Sequence, residues 1–131
     1  MPISANPLVY AVFANIAVAV FAATGALAAA RKDHDVVTFA FFAAATGVGG
    51  GTVRDLLLDV PVFWTVDPTF LVISVVVGAA IWLVGHTRWD EPVLLWLDAV
   101  GMVAFGILGA AKSAALGHPF SVNLVMGVLT A

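Results

Sequence analysis

Leu8 to Ala30 reads LVYAVFANIAVAVFAATGALAAA, an uncharged run of 23 residues between Pro7 and the Arg31-Lys32 pair. As a helix rising about 1.5 Å per residue it is about 35 Å long, enough to cross a hydrocarbon core of about 30 Å. The run is too long for the apolar region of a cleavable signal. The residues before it, Met1 to Pro7, contain no Lys or Arg, so they lack the basic start of such a signal. It is expected to stay in the chain as a membrane anchor.

Further runs follow. Val36 to Leu58 carries Gly47-Val48-Gly49-Gly50-Gly51 in its middle and Arg54-Asp55 near its end. Asp59, Pro61 and Asp67-Pro68 mark a loop. Thr69 to Gly85 is β-branched and uninterrupted, and is read as a helix because a lone strand leaves its backbone unsatisfied in lipid. After the polar turn His86 to Pro92 comes Val93 to Leu116, broken by Gly117-His118-Pro119. A last run starts near Phe120 and reaches Ala131, too short to span.

Composition agrees with this plan. Of 131 residues, 63% are hydrophobic and 10% charged, with mean hydropathy +1.10. Soluble domains carry roughly 25% charged residues, so this chain has too few to clothe a water-facing surface. The expected class is all-α, a polytopic transmembrane bundle in contact with the lipid bilayer. A formal charge of −3 gives no reason to expect a nucleic-acid partner. With no cysteine, thiol catalysis, disulfides and zinc-thiolate sites are excluded. His34, His86 and His118 are scattered among turns and read as solvated rather than as metal ligands. No Walker loop, dinucleotide fingerprint or Ser/His/Asp arrangement is legible. An enzyme is not expected.

Arg31, Lys32 and Arg88 lie in the first and third turns, and the second and fourth turns have no Lys or Arg. The positive-inside rule then places the N-terminus outside. Trp64 on one side, and Trp82, Trp89 and Trp96 on the other, suit the two interfacial belts.

A shift of 84 residues lays Phe21-Ala22-Ala23-Thr24-Gly25-Ala26 on Phe105-Gly106-Ile107-Leu108-Gly109-Ala110, His34 on His118 and Thr46 on Thr130. Six of 27 positions from Phe21 to Gly47 match, and the helix breaks fall in register. The expected organisation is a first three-helix repeat over 1–86 and the start of a second over 87–131. An odd number of helices per repeat inverts the second copy, a plan common among transport proteins. The register places a second glycine break just past Ala131, so the native protein is expected to continue beyond it.

Gly49-Gly50-Gly51-Thr52-Val53-Arg54-Asp55 is the most informative stretch. Each glycine costs a helix roughly 1 kcal/mol relative to alanine. One reading is that the triplet unwinds the helix, and that freed carbonyls with the Thr46 and Thr52 hydroxyls coordinate a monovalent cation. The other is close helix packing. Arginine at membrane depth faces a bundle interior or water, unless Arg54 snorkels to the interface. Neighbouring helix positions do not face one another, so Arg54 and Asp55 are expected to have different partners. Asp98 and Lys112 share one helix about 21 Å apart. With the orientation above, that separation puts Lys112 and Arg54 both near the outer side and Asp98 near the cytoplasm. Asp98 is therefore expected to pair with an arginine of the second repeat past Ala131, or to be a helix-start acid favoured by the dipole. Lys112 either lines the interior or snorkels.

The block Phe21 to Lys32, Gly49-Gly50-Gly51-Thr52-Val53-Arg54-Asp55, Pro61-Val62-Phe63-Trp64, and Asp98-Ala99-Val100-Gly101 with Gly109-Ala110-Ala111-Lys112 resembles the bacterial branch of the trimeric intracellular cation (TRIC) channel family. The same repeat unit is also called a glycine-transporter domain. The resemblance covers essentially the whole chain. It implies seven helices in two inverted repeats plus one, a homotrimer in the bacterial inner membrane, and a cation pore in each subunit lined by the second and fifth helices. Carried over, the first bend is Gly49-Gly50-Gly51, Arg54 and Asp55 are the charged positions after it, and Lys112 is the basic position on the fourth. Ala14 stands where the second repeat has Asp98, which leaves the partner of Arg54 open. The expected function is a channel for monovalent cations, potassium first, with no cofactor beyond the permeant ion. The alternative is a secondary transporter of a small solute such as glycine.

Overall fold

A computed structural model describes residues 6–31, 35–84 and 91–131. The proposed boundary between 86 and 87 lies outside these residues. So do Lys32, His34, His86, Arg88 and Trp89. Every regular element among the described residues is a helix: α1 Pro7–Ala30, α2 Val36–Leu57, α3 Phe63–Val66, α4 Thr69–Val84, α5 Glu91–Ala115 and α6 Phe120–Thr130. By length and composition, α1, α2 and α5 are able to cross a membrane.

Polar residues fix the helix starts. The Asn6 side chain accepts from the amides of Leu8 (3.1 Å) and Val9 (3.4 Å), with Pro7 at the first helical position. Asp35 accepts from the Thr38 amide (2.9 Å) and hydroxyl (2.8 Å). Asp67 accepts from the Thr69 amide at 3.0 Å, and its hydrogen bonds to Thr69 hold its carboxyl below the usual carboxylate range. At the other ends, Asp59 (φ 55°) follows α2 and Gly117 (φ 83°) follows α5, both in the left-handed region that turns a chain out of a helix.

α1 is central and packs against α2, α4 and α5, while α6 folds back on α5 and touches α2. The interior is rich in small residues: Ala17, Ala22, Ala26, Ala29 and Ala43 are all buried. Large apolar side chains face outward instead, including Phe41 (68% exposed), Leu83 (75%) and Trp96 (74%). A water-soluble fold has the opposite arrangement. In lipid it is natural, because tails solvate large apolar groups while small residues let backbones approach.

One close approach occurs twice. A Cβ added at Gly25 of α1 would strike the Phe42 carbonyl and the Thr46 hydroxyl of α2. A Cβ added at Gly109 of α5 would strike the Met126 carbonyl and the Thr130 hydroxyl of α6. Each pair of positions differs by 84 residues. Phe21 and Phe105, also 84 apart, stack face to face between α1 and α5 with ring centres 4.9 Å apart.

The glycine triplet does not unwind its helix. α2 is α-helical without interruption from Val36 to Leu57, which corrects the expectation of freed carbonyls. Packing accounts for two of the three glycines. A Cβ at Gly50 would collide with the Thr130 carbonyl of α6, and one at Gly51 with the Phe63 ring. Gly49 has nothing within 4 Å of its added Cβ. Gly49→Ala is therefore expected to raise stability by up to about 1 kcal/mol through helix propensity alone. Thermal unfolding in detergent reads this directly, and a lowered midpoint would mean that Gly49 meets something besides lipid.

Candidate functional site: a buried ion cluster and two cavities

At the end of α2, three ionisable side chains converge. Asp55 is fully buried and Arg54 is 3% exposed. Arg54 Nε donates to Asp55 Oδ1 at 2.8 Å, and Lys112 Nζ of α5 donates to the same oxygen at 2.7 Å. The Phe63 amide, at the start of α3, donates to Asp55 Oδ2 at 2.9 Å. One carboxylate thus ties α2 to α5 and to α3.

This corrects the expectation of separate partners for Arg54 and Asp55. Their Cα–Cβ bonds diverge by about 100°, as helical neighbours must. The arginine stem is long enough to fold its Nε back onto the adjacent carboxylate. Arg54 is buried against its neighbour's carboxylate, and Lys112 is half-buried in an interhelical ion pair. Such a cluster is stable in a low-dielectric interior only when its donors and acceptors are matched.

α3 completes this end of the bundle. The Phe63 ring sits on Gly51, beneath the Arg54 guanidinium (5.7 Å to the ring centre) and edge-on to Phe70 (4.9 Å between centres). Trp64 Nε1 donates to Thr52 Oγ1 at 2.9 Å, and Thr52 Oγ1 donates to the Val48 carbonyl at 2.7 Å. Thr52 is therefore engaged with α3 and with its own helix. Sequence reasoning placed no element here. The available signal was Trp64, whose indole N–H requires an acceptor once buried.

Beside the ion cluster lies a cavity of about 360 Å³, to which Tyr10, Arg54 and Lys112 contribute the polar lining and Val18, Phe105 and Leu108 part of the apolar wall. A second cavity of about 250 Å³ is lined by Asp98, Thr46 and Thr130, with Gly50, Phe21 and Phe105 around them. Arg54 and Asp98 thus line different cavities. The two are related by the 84-residue shift at two lining positions: Ala14 and Phe105 of the first correspond to Asp98 and Phe21 of the second. One carries the cations and the other the acid.

Lipid-facing apolar helices, a small-residue interior and an internal ion cluster define a polytopic helical membrane protein. Residues 11–86 match the family described as glycine transporter, and the chain belongs to that family. It is 39% identical over 121 residues to the UPF0126 inner membrane protein YadS of Escherichia coli K12, covering 88% of this chain and 57% of that protein. It is 34% identical over 122 residues to the UPF0126 membrane protein YvgT of Bacillus subtilis, covering 88% and 58%. Among solved structures it resembles the TRIC trimeric intracellular cation channel orthologue from Rhodobacter sphaeroides. The TM-score is 0.88 at 36% identity, with 93% of this chain and 64% of that one aligned. The chain spans less than two thirds of the length of these relatives.

Proposed function

We propose that the protein is a channel for monovalent cations, potassium first, that works as a homotrimer in the bacterial inner membrane with its N-terminus outside. The observation that carries this reading is the likeness, at TM-score 0.88 and 36% identity, to a chain described as a trimeric intracellular cation channel. The acidic cavity supports it. Asp98 with the Thr46 and Thr130 hydroxyls offers oxygen ligands of the kind that replace a cation's hydration shell. Since α2 stays helical, side-chain oxygens take the part that freed carbonyls would have had. Gly50 serves the path by letting α6 close against α2, which sets Thr46 and Thr130 around one space.

The recurring contacts of Gly25 and Gly109 support two three-helix repeats, 1–86 and 87 onward, with the second inverted. Inverted repeats and the family description favour a second reading, a secondary transporter of a small solute such as glycine. The two readings separate in proteoliposomes holding the intact protein. A channel gives single-channel currents under a potassium gradient, and Asp98→Asn is expected to lower them several-fold. Saturable, gradient-driven glycine uptake without such currents would reject the channel.

A further inference from the structure

The Phe21–Phe105 stack stands between the two cavities. Among the described residues that line them, Phe105 alone borders both, with Val18 and Leu108 beside it on the larger side and Phe21, Thr46 and Asp98 on the acidic side. The two rings are buried, with centres 4.9 Å apart and planes inclined by 24°. They belong to one apolar cluster with Ala14, Ala17 and Val18, so the partition offers water no polar group. The cavities, of about 360 and 250 Å³, have room for several waters at about 30 Å³ apiece. An apolar constriction between two such spaces stops ions by staying dry. The two rings are not held alike. Phe21 of α1 lies against Gly101 of α5, where an added Cβ would come within 2.8 Å of the ring. The position 84 residues before Gly101 is Ala17, which is buried and carries a methyl. The seat that receives Phe21 therefore has no open counterpart for Phe105. Phe105 instead keeps a cavity on each side of it, and the larger one gives its ring somewhere to go.

We propose that Phe105 is a gate in the conduction path. Its ring, stacked on Phe21, shuts the acidic cavity off from the larger one, and it joins the two by swinging into the larger one. Phe21, seated on Gly101, is the fixed half of the gate. Stacking adds only modestly to what apolar burial already gives the pair, so a single change of side-chain rotamer at Phe105 undoes the closure. The proposal deepens the channel reading and rests on it, yet continuity between the cavities is measurable without any current.

The 131 residues contain no cysteine, so Thr46→Cys places a reporter thiol in the acidic cavity. In the intact protein, kept free of other thiols, its reaction with a membrane-impermeant cationic methanethiosulfonate is followed from each face. Spheroplasts present the outer face and inverted vesicles the inner one. With both rings in place, the thiol is expected to react at least tenfold faster from one face than from the other. Phe105→Ala should bring the slow face to within a few-fold of the fast one. Phe21→Ala removes as large a ring but leaves the partition, so the difference between faces should persist; two rings that merely fill the core would give equal effects and overturn the assignment. Should Phe105→Ala fail to fold, Phe105→Leu carries the test, with a several-fold rise expected at the slow face. Comparable rates from both faces with the two rings present would overturn the proposal, as would an unchanged slow face in the folded Phe105 variant. In bilayers the same variant should raise the open probability for potassium several-fold, and an unchanged value would sink the gate while sparing the channel. Cavities that join in the Phe105 variant with no current in any variant would reject the channel and keep the partition.

Discussion

Asp55→Asn is expected to lower the unfolding free energy by about 3–5 kcal/mol, the usual penalty for removing one partner of a buried ion pair. The substitution keeps the size and planarity of the side chain, so the packing around it changes little. What it removes is the charge that two cations share, at 2.8 Å from Arg54 and 2.7 Å from Lys112. Arg54, at 3% exposure, cannot turn to water. Lys112→Met should be milder by comparison. It leaves the Arg54–Asp55 pair balanced, and Lys112, at 24% exposure, already has part of its side chain outside the interior. The ordering is read from SDS- or heat-induced unfolding of the purified variants in one detergent. Equal losses would mean that Asp55 is not the hub of the cluster but merely one of three comparable members.

The membrane-crossing plan was legible because it rests on one-dimensional facts. A charge-free run from Leu8 to Ala30 admits one reading in lipid, and α1 begins within a residue of it. The ion cluster was legible only in part. Helical rise placed Lys112 and Arg54 at the same end of the bundle without pairing them with Asp55, and rules about which positions share a face treat side chains as short spokes, whereas Arg54 bends back to its neighbour. Unwinding and close packing both stayed open for the glycine triplet because helix propensity is a local quantity. The penalty at Gly50 and Gly51 is offset by contacts with Thr130 and Phe63 that lie 80 and 12 residues away. α3 has four residues, too few for any periodicity. Its place is set by Asp55, Gly51 and Thr52, none of which carries a mark in the sequence that points to it. The two cavities depend on α5 and α6 meeting α1 and α2, a tertiary outcome that the repeat register hinted at through Phe21 and Phe105 without locating.

Gly25→Ala and Gly109→Ala should each reduce stability by a net of about 1–2 kcal/mol, with overpacking of about 1–3 kcal/mol partly offset by up to about 1 kcal/mol of helix propensity. In both places the added methyl would meet a backbone carbonyl of the facing helix, Phe42 in one case and Met126 in the other. A carbonyl within a helix cannot swing aside as a side-chain tip can, so the helices themselves must separate. In both places the second obstacle is a threonine hydroxyl, Thr46 or Thr130, and both threonines line the acidic cavity. Each substitution should therefore also displace one of the two hydroxyls beside Asp98 and lower cation current in step with the loss of stability. The matched pair tests the repeat itself. If 84-residue equivalents do the same mechanical work, the two variants should fall within about 0.5 kcal/mol of each other, the tolerance within which independent, distant sites usually add. A large effect at Gly109 with none at Gly25 would show that the shared contact is a coincidence of small residues and not an inherited unit.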